Sequence, residues 1–231
     1  MCGRFLSTSG PAELAEFFGA HPADADLGVN YNVAPTQDVY GVIADPQLER
    51  FLRVFEWGLI PSWSSDDRRR ASLINARAET VRTKPAFRDS FAQRRCLLPM
   101  DGFYEWLPAD PAVRGAKVPK LPVLIERADG TPLAVAGLWT AWRPKGAGEA
   151  TTWRHTCTAI TTEPNHELAA VHDRMPVILE RHEWDIWLDP TNRDLGALEA
   201  LLDPAPDDTL TVTRVSTEVN NARNRGPFER L

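Results

Sequence analysis

The sequence predicts an α+β fold: one domain over residues 1–231, built on a strongly curled, mainly antiparallel sheet with short flanking helices. Three observations predict it. Short apolar runs with strand-like alternation recur from one end of the chain to the other. Segments with helical spacing are brief. No internal repeat, low-complexity tract or interdomain linker divides the 231 residues, which suffice for a sizeable core.

The elements follow in order. Ser9-Gly10-Pro11 opens a helix with Pro in its first turn, Leu14, Phe17 and Phe18 as its apolar face, and Gly19 as its stop. Tyr31 to Thr36 reads as rigid coil, because Pro35 holds Ala34 extended and lacks an N–H. Strands are expected at Val39–Ala44 and from Phe51 to Trp57, joined by a turn at Asp45-Pro46-Gln47. Asn75 is a good helix N-cap, and Pro85 to Gln93 reads as a helix with Phe87 and Phe91 facing the core. Further strands are expected at Arg95–Pro99, Phe103–Trp106, Pro122–Glu126, Leu133–Trp142, Trp153–Ile160, Val177–Leu179 and Leu210–Val215. Residues 107–120 and 143–150 read as loops. Thr161-Thr162-Glu163-Pro164 is expected to cap a short helix to about Ala170, and two more helices are expected at Glu183–Leu188 and Leu195–Leu202. The tail Val219 to Asn224 is polar and turn-like.

Composition narrows the function classes. No apolar run reaches the roughly 18 residues of a membrane helix. The N-terminus lacks a basic start followed by an apolar stretch, so a signal peptide is not expected. Three cysteines, with no CxxC pair and no Cys/His cluster, argue for a reducing cytoplasm and against a disulfide framework or structural zinc; no metal or other cofactor is expected. Taken alone, the formal net charge of −6 argues against a nucleic-acid partner. Charge is uneven, however. Between Arg68 and Arg95 stand nine basic residues against Glu79 and Asp89, a balance that suits one phosphate-rich ligand at one site, or simply a solvated Arg-rich surface.

The chemistry-bearing residues begin at Cys2. A small second residue tolerates removal of Met1, which would leave a free N-terminal cysteine. Its amine and thiol, with ordinary pKa values of about 7.7–8.0 and about 8.5, are both partly nucleophilic near neutral pH. Such a 1,2-aminothiol condenses with an aldehyde to a Schiff base and then closes a thiazolidine ring; a frayed terminus is the bland alternative. Glu105 alternates with Phe103 on one strand face, Tyr104 and Trp106 on the other. A carboxylate so poorly solvated suits general acid work, whereas an edge strand would leave it at the surface. Trp63, among Pro61, Ser62, Ser64 and Ser65, suits an exposed base-stacking aromatic or a core residue equally. His172 beside Asp173 is a structural hydrogen-bonding residue or a proton carrier.

Seven stretches, MCGRF at 1–5, YNVAP at 31–35, WGLIPSW at 57–63, INARAET at 74–80, GFYEW at 102–106, HDRMP at 172–176 and VNNARN at 219–224, together resemble the SOS-response-associated peptidase family, also called abasic-site processing proteins. The resemblance implies a substrate, an abasic site in single-stranded DNA, and a covalent thiazolidine crosslink between Cys2 and the ring-opened sugar. It implies that Glu105 is the acid/base, that Asn75 positions the intermediate and that His172 stabilises the sugar and moves protons. It places Arg4, Asn32, Arg77 and Thr161 among the DNA contacts, with Pro35 and Trp63 as a wedge against the flanking bases. Ser64 departs from relatives that carry a second aromatic there. It further implies lyase-like chemistry, a peptidase step confined to Met1, no membrane partner and a monomer. Two other readings stay open: an N-terminal-nucleophile amidohydrolase, whose chain can also begin Met-Cys-Gly, and a single-strand DNA-binding module with an incidental Cys2.

Overall fold

The computed structural model describes residues 2–107, 120–146, 148 and 151–231. The expected loop at 107–120 lies almost wholly outside the described residues, and of the expected loop at 143–150 residues 147, 149 and 150 do. In chain order the elements are β1 (Phe5–Ser7), α1 (Pro11–Phe18), β2 (Ala20–His21), β3 (Asn30–Val33), β4 (Asp38–Ala44), β5 (Arg50–Trp57), β6 (Asn75–Arg77), α2 (Ala78–Val81), α3 (Arg88–Gln93), β7 (Arg95–Met100), β8 (Gly102–Leu107), β9 (Leu121–Arg127), β10 (Leu133–Trp142), β11 (Arg154–Thr162), β12 (Met175–Pro176), α4 (Trp184–Leu188), α5 (Leu195–Glu199) and β13 (Leu210–Arg214). Strands dominate and helices are short, as the α+β reading requires.

The strands form two sheets rather than one. A five-stranded antiparallel sheet runs β13-β9-β8-β1-β3. An eight-stranded sheet runs β12-β11-β10-β7-β4-β5-β2, with β6 added beside β11. Parallel pairing of β11 with β5, Thr156 opposite Glu56 and Cys157 opposite Trp57, closes β4, β5, β7, β10 and β11 into a small barrel. Closure leaves these five strands without an open edge.

Period-2 alternation distributes side chains between two main cores. Cys96 and Leu98 of β7 and Ala159 of β11 join Cys2, Phe5, Trp57 and Phe103 in the core that unites the two sheets. Leu97 and Ile160 point the other way, against α1, Phe91 and Trp187. Leu6, Tyr104 and Val219 form a third, smaller cluster on the far face of the five-stranded sheet.

Four local expectations are corrected. Residues 30–33 form strand, not coil, because the N-terminal strand β1 supplies a partner, Phe5 opposite Val33. Asn75 opens β6 rather than capping a helix; β6 runs parallel to β11 (Ala159 opposite Asn75), and the helix begins at Ala78 with Arg77 as its cap residue. The residues at Thr161–Thr162 continue β11, since they pair with Pro176 and Met175, and only a 3-10 turn at Leu168–Ala170 follows. The expected strand at Val177–Leu179 is displaced to Met175–Pro176, with one isolated bridge at Ile178.

Gly58 makes the exit from the barrel. It sits at φ 138°, where a side chain is strained, and a Cβ there would lie 2.7 Å from the carbonyl oxygen of Arg70. Its N–H donates to Cys157 O at 2.9 Å. We therefore expect Gly58→Ala to cost about 1–3 kcal/mol of stability from backbone strain alone, and more from the clash. The check is a urea denaturation midpoint; an unshifted midpoint would contradict the strain at this position.

Candidate active site

Cys2 is wholly buried in the core between the two sheets. The strand that follows it is fixed by β8, with the Tyr104 N–H donating to Arg4 O at 3.0 Å and Phe5 opposite Phe103. From β6, Asn75 Nδ2 donates to the Cys2 carbonyl oxygen at 2.7 Å. This bond holds the main chain of residue 2 against the barrel. Burial, and next the negative charge of Glu105, push the Cys2 thiol well above its ordinary pKa. The thiol form is therefore the resting form.

Glu105 is the source of that charge. It comes from β8, and its side chain is only 5% exposed. Its Oε2 stands 4.0 Å from Nε2 of His172, whose ring is 29% exposed. The other ring nitrogen, Nδ1, has two partners: the Arg174 N–H donates to it at 3.0 Å, and Asp173 Oδ1 lies 2.7 Å away. A protonated Nδ1 cannot accept that N–H, so the two contacts belong to two states. With neutral imidazole, Arg174 N–H holds Nδ1 and the ring proton sits on Nε2, facing Glu105. With imidazolium, Nδ1 donates to Asp173 and Nε2 still faces Glu105. One ring nitrogen is thus flanked by Arg174 and Asp173 while the other faces Glu105.

Beside this group lies a cleft of about 530 Å³, lined by Ser72, Asn75, Arg77, Thr80, Thr83, Lys84, Phe87 and Thr161. Arg77 and Thr161 are register partners on β6 and β11, which puts both at one barrel end. Arg77 and Lys84 are exposed there. Trp63 stands at the same rim, 56% exposed, with its Nε1–H donating to Pro85 O at 3.4 Å. Cys2, Asn75, Glu105 and His172 are thus brought together, with Arg77, Thr161 and Trp63 alongside.

Other expected contacts have different surroundings. Asn32 is fully buried; its Nδ2 donates to the carbonyls of Val219, Asn221 and Asn224, and its Oδ1 accepts from Arg4. Arg4 also donates to Val219 O at 3.1 Å. Both residues clamp the C-terminal tail onto β1 and β3. Pro35 is half-buried in the turn between β3 and β4. Much of the basic segment is likewise spent internally. Arg70 pairs with Glu56 and Asp67, Arg82 with Glu199, and Arg95 is buried on the carbonyls of Trp187, Phe91 and Asp189, its pKa lowered to about 10, mainly by burial.

Sequence reasoning missed Lys84 as a cleft residue, although the basic segment contained it. It also missed Arg174, which forms a two-pronged pair with Glu79 and so ties the His172 loop to α2 beside the cleft. The signal for that pair was the presence of both residues in recognised motifs. Among the described residues no His/Cys/Asp/Glu group could hold a metal ion, and no helix is long and apolar enough to cross a membrane.

The family model described as SOS response associated peptidase (SRAP) matches residues 1–222. Abasic site processing protein YoqW of Bacillus subtilis is 38% identical over 230 residues, covering 98% of this chain and 97% of that protein. YoaM of the same organism, also an abasic site processing protein, is 37% identical over 226 residues, 97% of this chain and 95% of its own. Abasic site processing protein HMCES of Xenopus tropicalis is 32% identical over 198 residues, 78% of this chain but 56% of that protein. A crystal structure of a protein from Bacteroides thetaiotaomicron superposes with a TM-score of 0.82 at 26% identity, covering 94% of this chain and 93% of that one.

The electrostatics of Cys2 yield a prediction. Glu105→Gln removes one of the influences that raise the thiol pKa, so the thiolate fraction at pH 8–9 rises. Alkylation of Cys2 by iodoacetamide, followed by peptide mass spectrometry, should therefore be several-fold faster in the variant. An equal or slower rate would contradict the influence of Glu105 on the sulfur.

Proposed function

The chain belongs to the SOS response associated peptidase family, and on that premise we propose that it processes abasic sites in single-stranded DNA by covalent capture at Cys2. The observation that carries the reading is the placement of Cys2. It is buried, pinned through its carbonyl by Asn75, influenced by Glu105, and set beside a cleft that presents Arg77 and Lys84.

The chemistry runs in balanced steps. Removal of Met1 frees the α-amine of Cys2; on this reading it is the peptidase step of the family name. The closed abasic sugar opens when a proton reaches its ring oxygen, the C1′–O bond breaks and the C1′ hydroxyl loses its proton, leaving an aldehyde. Glu105 delivers the proton and His172 resupplies it. The amine adds to C1′, and the carbinolamine loses water to form an iminium. Sγ then adds to the same carbon while its proton passes to Glu105, closing the thiazolidine. The net change is aldehyde plus aminothiol to thiazolidine plus one water. The same groups serve the reverse direction. Specificity comes from the aldehyde itself, so the flanking strand needs only backbone contacts and stacking, which suits Arg77, Lys84 and Trp63.

Abasic, intact and uracil-containing oligonucleotides separate the readings. Covalent capture gives a denaturation-resistant adduct with the abasic strand alone. An N-terminal-nucleophile amidohydrolase would show glutaminase activity and no adduct. A passive binding module would show salt-sensitive binding to every strand.

Two variants test the assigned roles. Glu105→Gln keeps shape but not proton transfer, and should slow crosslinking on the order of 10²–10⁴-fold. Affinity for a non-reactive abasic analogue should be nearly unchanged; wild-type rates across pH 5 to 8 would remove Glu105 from the mechanism. Arg77→Ala should weaken binding to all single strands and reduce the log–log salt slope by about 0.7. An unchanged slope would make Arg77 a structural residue.

A further inference from the structure

Among the described residues only two large aromatic side chains are exposed, Trp63 and Trp153, at 56% and 53%. Trp63 stands at the rim of the cleft. Trp153 lies just before β11, at the loop end of the β10–β11 hairpin. The segments that carry them are joined by hydrogen bonds. Trp142, the last residue of β10, donates its indole N–H to Ser64 O at 2.9 Å, one residue from Trp63. Arg154, opposite Trp142 in the ladder, donates to Asp67 Oδ2 at 2.9 Å. The loop that follows Trp63 is therefore seated on the stem of the hairpin that presents Trp153.

Charge along this path favours an anion. Arg143 lies 4.7 Å from the Trp153 ring centroid, a cation–π pair that fixes the indole and covers it with positive charge. Lys145 is exposed on the same hairpin, and Arg68 and Arg69 are exposed on the intervening loop. Of the loop's two acids, Asp67 is occupied by Arg70 and Arg154, and Asp66 lies 3.6 Å from Arg68 in an exposed pair, which leaves Arg69 outside these ion pairs. A rigid aromatic surface next to guanidinium groups is the recurrent arrangement for a single strand held by base stacking and phosphate contacts.

We propose that this band, from Trp63 across Arg68 and Arg69 to Arg143 and Trp153, is a second contact surface for the single strand flanking the lesion. It rests on the nucleic-acid reading of the cleft and extends it: Trp63 holds the bases beside the lesion and Trp153 stacks a base farther along. The band contains none of the groups assigned to the covalent chemistry, so it sets affinity for strand length, not the rate of capture.

The test uses strands carrying a non-reactive abasic analogue, either just long enough to fill the cleft or extended on the 5′ or the 3′ side. Binding is read by fluorescence anisotropy. Wild type should gain affinity on one side as the strand lengthens. Trp153→Ala should lose that gain, on the order of tenfold, with binding and crosslinking of the short strand unchanged. Trp153→Phe should restore most of it, and Arg143→Ala should lower the salt slope for the long strand only, by about 0.7. Matching melting midpoints would show that the variants are folded. Equal affinity of Trp153→Ala and wild type for the long strand, or an equal loss on short and long strands, would overturn the proposal. If wild type fails to crosslink a reactive abasic strand while the Trp153-dependent gain persists, the capture reading fails and this surface stands.

Discussion

β11 is the strand on which the rest of the structure depends. It pairs antiparallel with β10 and β12 and parallel with β5 and β6. The β5 pairing closes the barrel; the β6 pairing hangs the site from it. Because the strand period is 2, a slip of one residue between β6 and β11 would turn Asn75 and Arg77 to the opposite face together. Asn75 would then leave the carbonyl of Cys2, and Arg77 would leave the cleft. Ladder hydrogen bonds and the buried Ala76 and Ile160 on the other face fix that register. The excursion between β5 and β6 is fastened to the same strand. Ile60 N–H donates to Thr156 Oγ1, Gly58 N–H to Cys157 O, and Arg154 reaches Glu56 and Asp67.

The N-terminus is set by a second clamp. A chain end is ordinarily the least ordered part of a domain. Here Arg4 and Asn32 bond to each other and to the tail at Val219, Asn221 and Asn224, so the two ends of the chain hold one another. Burial of Cys2 then becomes compatible with its chemistry. Burial and the charge of Glu105 hold the sulfur as the thiol. That restraint limits side reactions of a nucleophile that would titrate freely at a loose terminus.

Much of the site was legible in the sequence because its chemistry depends on residue type. An aminothiol requires Cys2, and a carboxylate flanked by aromatics singled out Glu105. The strands of the barrel were legible because their apolar content repeats at strand spacing. What local reasoning could not supply was partnership. Asn75 has the residue type of a helix cap, and only β11 makes it a strand residue. Tyr31 to Val33 became strand because β1 was available. The closure by β5 and β11 joins segments about a hundred residues apart, and the closure by β6 joins segments nearly as distant. Charge misled for the same reason: Arg70, Arg82 and Arg95 read as a basic face, but Arg70 turns back onto Glu56 of β5, and the partners of Arg82 and Arg95, Glu199 and the Trp187 carbonyl, lie far along the chain.

The central claim is that the α-amine and sulfur of residue 2 both bond to one carbon of the abasic sugar. Peptide mass spectrometry after incubation with an abasic strand tests it most directly. The account predicts an N-terminal peptide that lacks Met1 and carries the sugar at residue 2, heavier by the strand remnant less one water, with its thiol closed to alkylation. A sugar attached elsewhere, or attached at residue 2 with the thiol still open to alkylation or Met1 still in place, would contradict it.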